Sequence, residues 1–144
     1  MIQSPLSAYK ETRVKTASPG QMIVMLYNEA VKQCDTATDL IGRDLKKNPQ
    51  FIEKVNSCIS KVQDIVTELM ASLDFEAGGD IARDLFSLYV FFNRELMDAN
   101  IKKDPLRIGG IRTMLDELRQ AWVHAASQTQ GSGGETRTGV NIAG

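Results

Sequence analysis

The chain has 144 residues and a mass of 15.9 kDa, with 42% apolar and 24% charged residues, a balance that builds and solvates a single core. Seventeen Lys and Arg against eighteen Asp and Glu leave a formal net charge of −1, so no basic excess draws the chain onto a phosphate backbone, and nucleic acid is not an expected partner. One histidine, His124, and two cysteines, Cys34 and Cys58, cannot supply a His/Cys metal cage, and they leave a Ser-His-Asp arrangement with one candidate base.

The N-terminal stretch MIQSPLSAYKETRVKT has no apolar run long enough for a signal sequence or a membrane span, and no later stretch has eighteen uninterrupted apolar residues. A cytoplasmic protein without membrane insertion is expected. Residues 1–17 are too polar for a core element yet carry Leu6 and Tyr9 three positions apart. They read either as a frayed terminus or as a removable cover over an apolar groove.

Beyond the N-terminal segment three prolines follow good capping residues, at Ser18-Pro19, Asn48-Pro49 and Asp104-Pro105, and each pair predicts a helix start. Proline suits the first helical position because its missing N–H has no intrahelical partner there, while the preceding side chain accepts from a free amide. Ser18 and Gln21 also have capping-box spacing. After Ser18, Ile23, Leu26, Ala30, Cys34, Ala37 and Ile41 recur at helical steps and predict a first helix running to about Leu45. Both cysteines fall at apolar positions, which suits buried thiols in a reducing compartment better than a disulfide.

After Asn48, the series Ile52, Val55, Ile59, Val62, Val66, Leu69 and Leu73 alternates steps of three and four, a seam made for antiparallel helix packing. That second helix is expected to stop before Gly78-Gly79. A third stripe, Ile81, Leu85, Leu88, Tyr89, Phe92, Leu96 and Ala99, runs to Asn100, and Lys102 and Lys103 then suit the negative end of the helix dipole. The fourth stripe is Ile108, Ile111, Leu115, Leu118, Trp122 and Ala125. Gly109-Gly110 falls in its first turns, where fraying or a bend is expected. Residues 127–144 offer little to bury and are expected to be disordered.

The expected fold is all-α, an antiparallel up-down four-helix bundle over residues 18–126, with a flexible N-terminal segment over 1–17 and a disordered tail over 127–144. Helix three carries more apolar surface than one core face needs, since between Leu85 and Phe92 Ser87 alone is polar. Leu85, Leu88, Tyr89 and Phe92 fill the core face, whereas Phe86 and Val90, with Met97 further on, form a second row. In helix one, Met22 and Met25 widen the stripe with flexible thioethers suited to an irregular partner. Periodicity alone leaves open whether helix three is buried all round or presents a groove to another chain's helix.

Gly78-Gly79 lacks the preceding strand and the lysine of a phosphate loop. Asp80 and Asp84 share a helical side, but the chain has no Glu-x-x-His motif for a bundle di-metal site. No cofactor or catalytic residue is expected. Two other readings stay open at this point: a structural bundle whose apolar excess is a dimer interface, and a phosphotransfer module using His124, although that histidine lies near a helix end rather than exposed in mid-helix.

Thr16-Ala17-Ser18-Pro19, Met25-Leu26-Tyr27, Gln63-Asp64-Ile65 with Glu68-Leu69, Gly78-Gly79-Asp80-Ile81-Ala82, Leu88-Tyr89, Ala99-Asn100 and Ala121-Trp122 together resemble the FliS family, flagellin-specific export chaperones of the bacterial flagellar secretion system. The similarity runs in order from about Ala8 to Trp122. It departs from the family at Val90-Phe91-Phe92-Asn93-Arg94-Glu95, where a second tyrosine and a double arginine are common, and at the glycine pair 109–110, so the client-facing chemistry is expected to be more apolar.

The resemblance implies a four-helix bundle that binds the C-terminal segment of flagellin in the cytoplasm, prevents premature polymerisation and keeps it competent for type III export. The export gate and other flagellar regulators are further implied partners. The chain itself is expected to be a monomer or weak dimer. Candidate partner-binding residues are Leu6, Tyr9, Met22, Met25, Phe86, Tyr89, Val90, Phe91 and Met97.

Overall fold

A computed structural model of the chain describes residues 19–131, and these form four helices: α1 (Pro19–Ile41), α2 (Gln50–Ala71), α3 (Phe75–Lys102) and α4 (Pro105–Gly131). Short connections reverse the chain after each helix, giving the expected antiparallel up-down bundle. α1 packs against both α2 and α4, α2 packs against α3, and α3 meets α4 least extensively, so α1 and α3 stand diagonally. The Ser18 cap, Leu6 and Tyr9 lie outside the described residues.

The core follows the predicted stripes closely. Leu26, Tyr27, Ala30, Cys34 and Ala37 of α1 meet Val55, Ile59, Val62, Val66 and Leu69 of α2, Phe92, Leu96 and Ala99 of α3, and Ile108, Ile111, Leu115 and Trp122 of α4. Cys34 and Cys58 are both buried free thiols. Burial pushes the Cys34 thiol up from its ordinary 9.0 to about 12, with the neighbouring Asp35 carboxylate adding to the shift.

Several helix ends depart from expectation. α1 stops at Ile41 rather than Leu45, because Asp44 adopts a left-handed backbone with φ 63° and its carboxylate accepts from the Lys46 and Lys47 amides at 3.2 and 3.4 Å. Asn48 does not cap α2 with its side chain. Its Nδ2 instead donates to the Arg43 and Asp44 carbonyls, at 2.6 and 3.1 Å, and Pro49 stands at the cap position with no side-chain bond. α3 begins at Phe75, before the glycine pair, since Asp74 Oδ1 accepts from the Glu76 and Ala77 amides at 3.0 Å each. That first turn ends at Gly79, whose φ of 52° and ψ of −126° break the helix before it resumes at Asp80.

At the other end of α3, Lys103 turns left-handed at φ 50°, and the Asp104 amide reaches back to the Ala99 carbonyl at 3.0 Å. Asp104 then caps α4 as expected, accepting from Leu106 and Arg107 at 3.1 and 3.3 Å. No break occurs at Gly109-Gly110, and α4 continues through Gly131, so residues 127–131 are helical. Arg107 ties α4 to Asp98 and Glu95 of α3, and Arg112 ties it to Asp35 of α1. At the opposite end Gly20 lies so near α4 that an added Cβ would sit 3.5 Å from that of Ala126.

Candidate partner-binding surface

α3 carries two apolar rows. The core row includes the buried Tyr89, Phe92, Leu96 and Ala99. The second row, Phe86, Val90, Met97 and Ile101, advances at helical steps around Asn93, and on a regular helix these five positions fall within an arc of about 80°. Phe86, Met97 and Ile101 remain 40%, 60% and 73% exposed and Val90 is half-buried, so most of this row is presented to solvent.

Its place in the bundle is fixed by polar contacts to α2. The Asn93 carbonyl accepts from Gln63 Nε2 at 3.3 Å, and Asn93 Nδ2 donates to Thr67 Oγ1 at 3.3 Å. One end of the seam is fastened by Lys103 Nζ, which donates to Asn56 Oδ1 of α2 at 2.8 Å. Burial lowers the pKa of that ammonium. On α2, the exposed Ile52 and half-buried Met70 share the helical side of Gln63 and Thr67 and widen the apolar track. The other end is extended by Phe75, whose ring meets Phe86 edge-on with centroids 5.9 Å apart.

Phe86, Val90 and Met97 of the sequence-derived set thus stand together. Phe91 does not join them. It lies about 120° round α3 from the middle of the row, on the side where Glu95 and Asp98 meet α4, with its ring centroid 6.1 Å from that of Phe92. Tyr89 is not a surface residue, being 2% exposed and hydrogen-bonded inside the bundle to Tyr27 at 2.6 Å. Met22 is also buried, one turn ahead of Leu26 on the flank of the core stripe, while Met25 is half-buried. Ile81, placed in the core by its spacing, is 51% exposed because it falls in the first turn after the Gly79 break.

Phe75, Ile101 and Leu106 are exposed apolar residues that the sequence reading passed over. Ile101 continues the step from Met97 and was open to detection. Phe75 was hidden by taking the glycine pair as a helix boundary.

Among the described residues no group of three or more His, Cys, Asp or Glu side chains could hold a metal ion, and no helix is long and apolar enough to cross a membrane. His124 is exposed near the end of α4 and pairs with Gln128 at 3.1 Å.

Comparison with known proteins decides the kinship. The family model for the flagellar protein FliS matches residues 1–129, which takes in nearly all of the four helices. The chain belongs to the FliS family. It is 31% identical over 137 residues to the flagellar secretion chaperone FliS of Bacillus subtilis, covering 92% of this chain and 97% of that one. The FliS of Salmonella typhimurium is 32% identical over 113 residues, 78% of this chain and 79% of its own, and that of Vibrio cholerae 29% identical over 125 residues, 84% and 88%. The family model spans the apolar track, whereas residues 130–144 fall outside it.

Proposed function

We propose that this FliS-family chain is a cytoplasmic export chaperone that binds the C-terminal segment of flagellin, keeps it from polymerising prematurely and holds it competent for flagellar type III export. The observation that carries this reading is the solvent-facing row Phe86, Val90, Met97 and Ile101 beside the α2–α3 seam of a family member. An unfolded client that becomes helical on a bundle needs a long apolar track more than a deep pocket. The relatives are named flagellar secretion chaperones, which points to a flagellar export client. The chaperone acts by binding alone, without catalysis. Residues 1–17, with Leu6 and Tyr9, cover or extend the same track, and the export gate is the complex's next contact.

The paired substitution Phe86→Glu with Val90→Glu tests the site. It places two carboxylates in the row while leaving the core stripe untouched. Helical circular dichroism is expected to be retained and affinity for the flagellin segment to fall by at least about a hundredfold, from the loss of two buried apolar side chains. Wild-type affinity in the folded double variant contradicts the assignment.

A further inference from the structure

The row on α3 has one polar member, Asn93, midway between Phe86 and Ile101. Its amide nitrogen and main-chain carbonyl are both committed to α2, through Thr67 and Gln63. The Thr67 hydroxyl donates to the Gln63 carbonyl at 2.9 Å, so towards Asn93 it is left to accept. That orients the amide with Nδ2 towards Thr67 and Oδ1 turned away. Among the described residues, Asn93 Oδ1 is the buried side-chain polar atom that accepts no hydrogen bond.

A carbonyl shut off from water without a donor is costly, and an apolar side chain in its place avoids that cost while lengthening the track. Met97, one turn along α3 from Asn93, is exposed, and its unbranched side chain is adaptable. We infer that Asn93 is a specificity-determining residue of the client track: its Oδ1 accepts a hydrogen bond from a donor side chain of the bound helix, an amide, hydroxyl or cationic group. This pins the register in which that helix lies on Phe86, Val90 and Met97. A single polar position in an apolar helix seam sets register in the same way, because every slipped alignment leaves the polar group unpaired. The inference rests on the client reading above and narrows it, since the client must offer one donor opposite Asn93 amid apolar contacts.

The sign of one substitution tests it. In Asn93→Leu the acceptor is gone and apolar area is gained. If Oδ1 has no partner in the complex, the full-length variant binds a flagellin C-terminal peptide as tightly as wild type or more tightly. If Oδ1 is used, calorimetric titration shows binding weakened at least about tenfold. Asn93→Asp, which keeps the acceptor and the shape, stays within a few-fold of wild type. Alanine scanning of the peptide's donor residues is expected to find one whose loss weakens wild-type binding about tenfold and leaves Asn93→Leu unaffected. Asn93→Ala serves for the same cycle if the leucine variant loses its helical circular dichroism. Unchanged or tighter binding by Asn93→Leu, or a scan in which no donor couples to position 93, overturns the inference while leaving the client reading intact. Absence of peptide binding by the wild-type chain overturns both.

Discussion

The Tyr27 and Tyr89 hydroxyls meet at 2.6 Å inside the bundle, joining α1 to α3 across its diagonal. Both residues are almost wholly buried, at 0% and 2% exposure, and α1 and α3 make no direct backbone approach. The two hydroxyls form one small polar cluster in an otherwise apolar core. Such a cluster fixes which faces of the helices meet, because a rotated or shifted α3 leaves a buried hydroxyl unpaired.

Removing one hydroxyl should therefore cost more than removing both. Tyr27→Phe is expected to destabilise the fold by about 1–3 kcal/mol, since the Tyr89 hydroxyl loses its partner. Tyr89→Phe should cost a similar amount, because it leaves the Tyr27 hydroxyl unpaired. The double variant should fall short of the sum of the two, which urea denaturation of all four proteins measures.

Alkaline pH should weaken the fold. Burial raises the pKa of Cys34, to about 12, and of Tyr27 and Tyr89. Above pH 9 to 10 the unfolded chain releases these protons while the folded chain retains them. The unfolded state then binds fewer protons, so stability is complete below those ordinary values and declines as pH rises towards the folded ones. Each group contributes a slope of about 1.4 kcal/mol per pH unit across that window. Denaturant midpoints at neutral pH and at successive alkaline values should trace the decline, and Cys34→Ala should flatten its lower part.

Three glycines of the sequence should respond in opposite directions to alanine. Gly79 has φ 52°, a backbone that side chains rarely adopt, and although open space surrounds its Cβ position, alanine there is strained. Gly79→Ala is expected to cost about 1–3 kcal/mol or to re-form the Phe75 turn, separating the Phe75 and Phe86 rings. Gly109 and Gly110 lie in continuous helix with nothing within 4 Å of an added Cβ. Alanine at either should stabilise by about 0.5–1 kcal/mol, read as a raised thermal midpoint.

The bundle was legible because its seams repeat. The strict spacing from Ile52 to Leu73 leaves one way to bury those side chains, and the bundle buries Val55, Ile59, Val62, Val66 and Leu69, leaving Ile52 exposed and Leu73 half-buried at the ends. Helix ends were less legible, since they depend on competition between polar groups that spacing does not reveal. Asn48 has the chemistry of a cap but spends its amide on the Arg43 and Asp44 carbonyls, while Asp74, whose role was hidden by the glycine pair, caps α3. The candidate surface was half legible. Phe86, Val90 and Met97 could be separated from the core by angle, whereas Phe91 lies about 120° further round, and which neighbour that side faces is set by the packing of α4. Tyr89 was ambiguous because a tyrosine suits a wet groove as well as a buried hydroxyl pair, and only the position of Tyr27 resolves which.

The most direct measurement is calorimetric titration of the full-length protein, and of a version lacking residues 1–17, with a peptide covering the C-terminal helical segment of flagellin. The account predicts a one-to-one complex with a large negative heat-capacity change, the mark of apolar surface leaving water, and an affinity that changes when Leu6 and Tyr9 are removed. No binding by either protein, with sedimentation instead showing a stable dimer closed over Phe86 and Met97, contradicts it.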